Sequence, residues 1–256
     1  VVLSAILALA ALAAAETPEF EAFFKEFQTK RATIHAVAAN FSEESHLPEE
    51  TYTAAGRLFF AQPRRLLRNT LTPDKSVLLL DGRYAYQYEE EVKQCVIHDL
   101  KDQPESRILF LGFDGDLEAL RKAYDVSLFA AAGDEAREGK YGILVKPYAE
   151  DLDTALFVEA RFYLRDADYL PWRIQVVHDE HTHTDLRITD YRINPALDPA
   201  ETQVLLPEGT SVIENDRIVL TVGPGGKRYP ESAPPPREPE RPAVDVRPLE
   251  PPADTQ

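Results

Sequence analysis

The residues best suited to chemistry stand together in "VVHDEHTHTD": His178, Asp179, Glu180, His181, His183 and Asp185. An H-x-H pair sets two imidazoles on one face of a strand, which is how some metal sites begin. The same residues fall where one strand ends and the next starts, and Asp, Glu and Thr occupy such places because turns are solvated. A secreted metal-dependent hydrolase built on His178, His181 and His183 is therefore the third of three functional readings, and His98 would have to join it across the fold. Nucleophile and phosphate motifs are missing, since there is no G-x-S-x-G and the "GPGG" at 223–226 has no helix after it. No pair of carboxylates stands out for glycoside chemistry. The sequence offers no catalytic centre and implies no cofactor.

A different kind of surface is written in "DGRYAYQYEEE". Tyr84, Tyr86 and Tyr88 fall on one side of a strand and Ala85 and Gln87 on the other. Three phenols in a row either pack across strands or make an adaptable amphipathic wall for a lipidic ligand.

The elements that must position these residues change period along the chain. Thr17, Pro18 and Glu19 read as an N-cap, a proline at the first helical position and an acid in the first turn. Phe20, Phe23, Phe24, Phe27, Ile34, Val37 and Phe41 recur at helical spacing and predict an amphipathic helix with an aromatic stripe. From Thr51 the period is two, with strands expected over 51–61, 65–72, 75–81, 83–89 and 92–98, then 126–130, 140–148, 154–165, 171–178 and 184–193, and a final pair around 202–206 and 211–221. A short apolar turn at 108–111 and a helix carrying Leu117, Leu120 and Tyr124 interrupt the series. Tight links between consecutive strands mean an antiparallel meander. The fold class is α+β, a strongly curved antiparallel sheet with helices against its concave side.

Both ends of the chain differ from its middle. Residues 1–15 are an uninterrupted apolar run ending in an Ala-x-Ala pattern, shorter than the ~20 residues of a spanning helix, and read as a signal peptide for export. The run lacks a basic n-region and the chain has no methionine, so the sequence is expected to begin inside a longer product. No cysteine follows the run to accept a lipid, and the single Cys95 allows no intrachain disulfide. Residues 222–256 hold ten of the twenty prolines and are expected to be a proline-rich disordered tail. Residues 16–221 then form one domain. A net charge of −16 argues against nucleic acid and against anionic lipid surfaces.

The run "GRLFFAQPRRLLRNTLTPDKSVLLLDGRYAYQYEEEVKQ" resembles the periplasmic outer-membrane lipoprotein carriers, the LolA-like family. The features that carry the resemblance are Gly56, Phe59, Pro63, Leu66, Pro73-Asp74, Val77 to Leu79, Asp81-Gly82 and Tyr86 with Tyr88. "FSEES" at 41–45 is similar to the end of the family's first helix, "RILFLGFDGDLEALRKAYDV" to its lid segment and "LPEGTSV" at 206–212 to its closing turn. The resemblance covers about residues 19–214. It implies an unclosed half β-barrel of about 11 strands with an N-terminal helix and a short helical lid, enclosing a hydrophobic cavity for acyl chains. It implies a soluble periplasmic carrier, a monomer and not an enzyme, that takes acylated lipoproteins or lipids from an inner-membrane ATP-driven lipoprotein-releasing complex to an outer-membrane acceptor. On that reading the cavity residues are Leu58, Phe60, Leu66, Val77, Leu79, Tyr84, Tyr86, Phe162, Trp172 and Ile174, and the lid is Ile108, Leu109, Phe110 and Leu111. Gln62 stands where the family has an arginine that ties the lid shut, which predicts weaker closure or a substitute from Arg64, Arg65 or Arg68. Similar half-barrels also serve as sensing domains, so the second reading is a lipid- or lipoprotein-sensing module of the cell envelope.

Overall fold

The computed structural model describes residues 18–101, 120–151 and 155–230. The chain enters through helix α1, Pro18–Ala32, with Glu19 and Glu21 in the first turn and Lys30 and Arg31 in the last, the charge order a helix dipole favours. Phe20, Phe23 and Phe27 recur three and four residues apart and are buried, so α1 presents one aromatic edge to the sheet. The helix ends nine residues before Phe41. Ile34, Val37 and Phe41 belong instead to the link and to strand β1, Ala36–His46, which corrects the longer helix expected from spacing and puts "FSEES" in a strand.

The chain then builds β2 (Thr51–Ala61), β3 (Arg65–Thr72), β4 (Ser76–Leu80), β5 (Tyr84–Glu89), β6 (Gln94–Asp99), β7 (Tyr124–Ala130), β8 (Tyr141–Pro147), β9 (Glu159–Leu164), β10 (Pro171–Val177), β11 (His183–Ile193), β12 (Val204–Leu206), β13 (Ser211–Glu214), β14 (Arg217–Thr221) and β15 (Lys227–Tyr229). Thirteen of these form one sheet in the order β14-β13-β6-β5-β4-β3-β2-β1-β11-β10-β9-β8-β7. Its edges, β14 and β7, are not paired with each other, so the sheet is an unclosed barrel wall with α1 against one side. Neighbours are antiparallel throughout except β6 and β13, which run parallel. The expected strand over 211–221 is a hairpin, because Asn215 and Asp216 both take positive φ (51° and 59°) between paired Glu214 and Arg217. The first nine residues expected in the tail, 222–230, are structured. Val222 is buried, and Lys227–Tyr229 pair with β12 as a separate two-stranded sheet.

Register divides the sheet into two faces. Phe23 and Phe27 share one buried cluster with Ile143, Val145, Ala160 and Phe162, and Phe162 stands opposite Ile174. Ile174 also packs on a second cluster, with Ile34, Val37, Phe41, Leu58, Phe60, Leu66 and Leu80. These two clusters cover one continuous, helix-bearing face. The opposite face has its own core, Phe59, Leu67, Leu79, Tyr86, Tyr88 and Cys95 under Val204, Leu206, Val212 and Val222. That face is apolar where β12 and β15 cover it. Across β9 to β11 it carries Arg161, Arg173, Gln175, Asp185 and Arg187, as a solvated sheet surface should. Gly56 sits where β2 shifts register against β3; a Cβ there would lie 2.0 Å from the Asn69 carbonyl oxygen and 2.8 Å from the Phe41 ring.

Candidate ligand-binding face

The register of β1 to β6 arranges the helix-bearing face in rows. The first row runs Val37, Phe60, Leu66, Leu80 and Ala85 and is wholly apolar until His98 at the edge. The second row is Ala39, Leu58, Arg68, Leu78, Gln87 and Val96. The third runs Phe41, Gly56, Thr70, Ser76, Glu89 and Gln94. The face therefore passes from apolar to polar over three rows spaced ~7 Å apart by the rise of two residues.

Leu58, Phe60, Leu66, Phe162 and Ile174 are brought together on this face. Val77, Leu79, Tyr84 and Tyr86 are not. Leu66 pairs with Leu80 and Leu67 with Leu79, so the even-numbered residues of β4 face the helix side and Val77 and Leu79 the other. Tyr86, opposite Leu79, goes with them, and its hydroxyl donates to Asp81 Oδ2 at 3.2 Å. Burial and the Asp81 carboxylate push this phenol well above its ordinary range. Tyr84 and Tyr86 are edge-on at 6.2 Å, and Tyr86 meets Tyr229 of β15 at 5.8 Å. The expected wall of phenols is thus the floor beneath β12 and β15. Trp172 is also displaced: an irregularity between Pro171 and Arg173 breaks the alternation, and its ring packs on Tyr163 at 5.6 Å. Ile108, Leu109, Phe110 and Leu111 lie outside the described residues.

Gln62 does not reach across the fold within the described residues. Its Nε2 donates to the Ile34 carbonyl at 3.0 Å and its backbone N–H to the His35 carbonyl at 2.9 Å, so it fastens the end of β2 to the link after α1. Asn194, just past the end of β11, does the same with φ of 48°. Its Oδ1 accepts from the His35 and Ala36 N–H groups at 2.6 and 3.1 Å, and its Nδ2 donates to the Thr33 carbonyl at 2.8 Å. No local signal marked Asn194, since its partners are about 160 residues away.

Arg68 shares the helix-bearing face of β3 with Leu66 and is paired. Arg68 Nη1 donates to Glu43 Oε2 at 2.7 Å, and its guanidinium lies 4.5 Å from the centre of the Phe41 ring. Arg68 is 28% exposed and Glu43 13%.

The histidine-rich stretch is a hairpin turn. Asp179 Oδ1 accepts from the His181 and Thr182 N–H groups at 2.7 and 2.8 Å, and the His181 bond leads the causes that lower its pKa. His183 stacks on His46 at 4.3 Å, while His178 Nδ1 lies 3.0 Å from the Leu156 carbonyl oxygen. His98 is on β6, separated from β11 by five strands. Among the described residues no group of three or more His, Cys, Asp or Glu is arranged to hold a metal ion.

Open cavities of about 550, 490 and 480 Å³ lie on the surface, the first touching Ala54 and the third Ile188 at the margin of the helix-bearing cluster. The first is a polar groove with Arg173, Asp185, Arg187 and His183, the second runs between Val77 and Leu205, and the third borders Trp172. The helix-bearing face itself is filled in this conformation, with Phe60 at 0% and Phe162 at 2% exposure.

An unclosed sheet with one continuous apolar face under an N-terminal helix defines the half-barrel class of proteins. The family model described as "Outer membrane lipoprotein carrier protein LolA" matches residues 32–201, and the chain belongs to that family. It is 24% identical over 160 residues to the outer-membrane lipoprotein carrier protein of Azotobacter vinelandii, a match covering 62% of this chain and 72% of the relative. Among solved structures, an uncharacterized conserved protein from Thermus thermophilus superposes with a TM-score of 0.48 at 14% identity, covering 76% of this chain and 98% of the other. A LolA superfamily protein from Nitrosomonas europaea does so with a TM-score of 0.35 at 10% identity, covering 68% and 94%. No helix among the described residues is long and apolar enough to cross a membrane.

Proposed function

We propose that this chain is a periplasmic carrier of acylated cargo that binds acyl chains on its helix-bearing face and passes them from an inner-membrane releasing complex toward an outer-membrane acceptor. The observation that carries the reading is the continuous apolar face through Leu58, Phe60, Leu66, Phe162 and Ile174, on a chain that belongs to the lipoprotein carrier family. Each methylene taken from water contributes ~0.8 kcal/mol, so one ordinary acyl chain supplies enough burial energy to hold a lipoprotein on the carrier in solution. Because the face is filled in this conformation, loading must displace what covers it, and α1 covers its β7 to β10 half. The displacement cost keeps binding reversible, so an acceptor with a more open apolar surface can take the cargo. Nothing in this role needs a reacting group, and the reading is one of carriage rather than catalysis.

Native mass spectrometry of the protein purified from its own envelope tests this. Acylated species bound to the chain are the expected result, together with their transfer to acceptor vesicles on mixing. A chain that binds lipid but never releases it belongs to a sensing module. One that binds none is not a carrier.

A further inference from the structure

We propose that Arg68 and Glu43 form a receptor for a neutral carbonyl oxygen, the ester or amide group by which an acyl chain is joined to its cargo. The inference rests on the carrier reading and adds to it a point of chemical recognition. An ion pair on an apolar wall is costly to desolvate, and leucine at both positions would pack at least as well. What the pair adds is directional donors. A guanidinium has five N–H donors, and among the described residues one of those of Arg68 is engaged, by Glu43. The Phe41 ring beneath it and the Glu43 carboxylate beside it fix its plane.

The location selects the ligand group. Arg68 stands one row beyond Leu66 and one row before Thr70, where the face turns from apolar to polar. An acyl chain lying along β3 with its tail over Leu66 brings its carbonyl end to Arg68. Charge selects within that chemistry. Glu43 already balances Arg68 at 2.7 Å, and the whole chain carries −16, so an anionic head group would meet a second negative charge at close range. A carbonyl oxygen accepts from the remaining N–H groups without that repulsion.

The test titrates the full chain with 1-monopalmitoylglycerol (ester), N-palmitoylethanolamine (amide) and 1-O-hexadecylglycerol (ether, no carbonyl), following displacement of an apolar fluorescent dye. The wild type is expected to bind one or both carbonyl ligands about tenfold more tightly than the ether, as a bond from a charged donor should give. Preference for ester or for amide identifies which linkage the site reads. In R68M/E43Q, which removes both charges and keeps the volume, the ratio falls to about one while ether binding is kept. R68K, which retains the charge but not the planar fork, falls between, and serves if the double variant does not fold. Equal binding of ester, amide and ether by the wild type, or a ratio unchanged in these variants, overturns the receptor and leaves the carrier reading standing. Failure of all three ligands to bind the wild type overturns both.

Discussion

Truncating Phe27 to alanine separates a docked helix from one that merely lies nearby. Phe27 is 1% exposed, with ring neighbours Phe23 at 5.9 Å and Tyr169 at 6.1 Å and the Arg31 guanidinium 5.6 Å from its ring centre. Removing a fully buried phenylalanine costs about 3–5 kcal/mol, from lost transfer energy and the cavity left behind. With a urea dependence of about 3 kcal/mol per molar for a domain of this size, the midpoint should fall by about 1–2 M. Phe24 is the internal control. It is only half-buried on the same helix and stacks on Phe20 at 6.3 Å, so Phe24→Ala should cost less than half as much. Because Phe27 holds α1 over Ile143, Ala160 and Phe162, its loss should also raise binding of an apolar dye before any unfolding. Equal midpoints for the two variants, or a loss below about 1 kcal/mol for Phe27→Ala, would refute the packing argument and the idea that α1 guards the face.

Three further outcomes are expected. Burial holds the Cys95 thiol up to about 11 against an ordinary 9.0, so the neutral thiol favours the folded state. Its stabilisation is complete below pH 9 and is lost as the pH rises from 9 to about 11, because the unfolded chain ionises first; urea midpoints across that range should fall later in Cys95→Ala. Native protein at pH 8 should resist thiol reagents, and rapid labelling without unfolding would contradict this. Gln62→Leu removes the bond to the Ile34 carbonyl and should lower stability by about 1 kcal/mol in thermal melts, whereas Gln62→Glu, which leaves no donor, should be at least as damaging. Asp185→Asn weakens the two-pronged contact with Arg173, whose Nε lies 2.8 Å from Asp185 Oδ2 and whose Nη1 also reaches Glu135 at 2.6 Å. With both partners 16% exposed the loss should be about 1–3 kcal/mol, and an unchanged melting temperature would show the pair contributes nothing.

The sequence carried the strands well where turn residues punctuate them. Strands 51–61 and 65–72 match β2 and β3 to the residue, and the odd-even division of β9 places Ala160, Phe162 and Leu164 correctly on one side. It failed at β1, which lies mid-sheet with Val37 buried in one core and Ala38 in the other. Apolar residues on both faces erase the two-residue period, and the remaining Ile34, Val37 and Phe41 happen to fit helical spacing. The candidate site divided for a related reason. Alternation within each strand was legible, but which set faces the helix depends on pairing between strands, and both faces of β3 to β5 are apolar because β12 and β15 cover the second. Glu43 as the partner of Arg68 is not legible, since the spacing across β1 reads as helix. The Asn-Asp pair between β13 and β14 is a readable hairpin signal.

The position of β1 has a consequence for how the chain assembles. The first strand to be made is flanked by β2, which follows it at once, and by β11, which brings residues 183–193 against 36–46. Until β11 arrives, Val37, Ala39 and Phe41 sit on a sheet edge with open backbone hydrogen-bonding groups. The two meanders, β2 to β6 and β7 to β11, therefore cannot become a stable unit one after the other. They close along a single long-range seam, which makes folding slow and cooperative. A chain halted before residue 183 is left with an adhesive apolar edge.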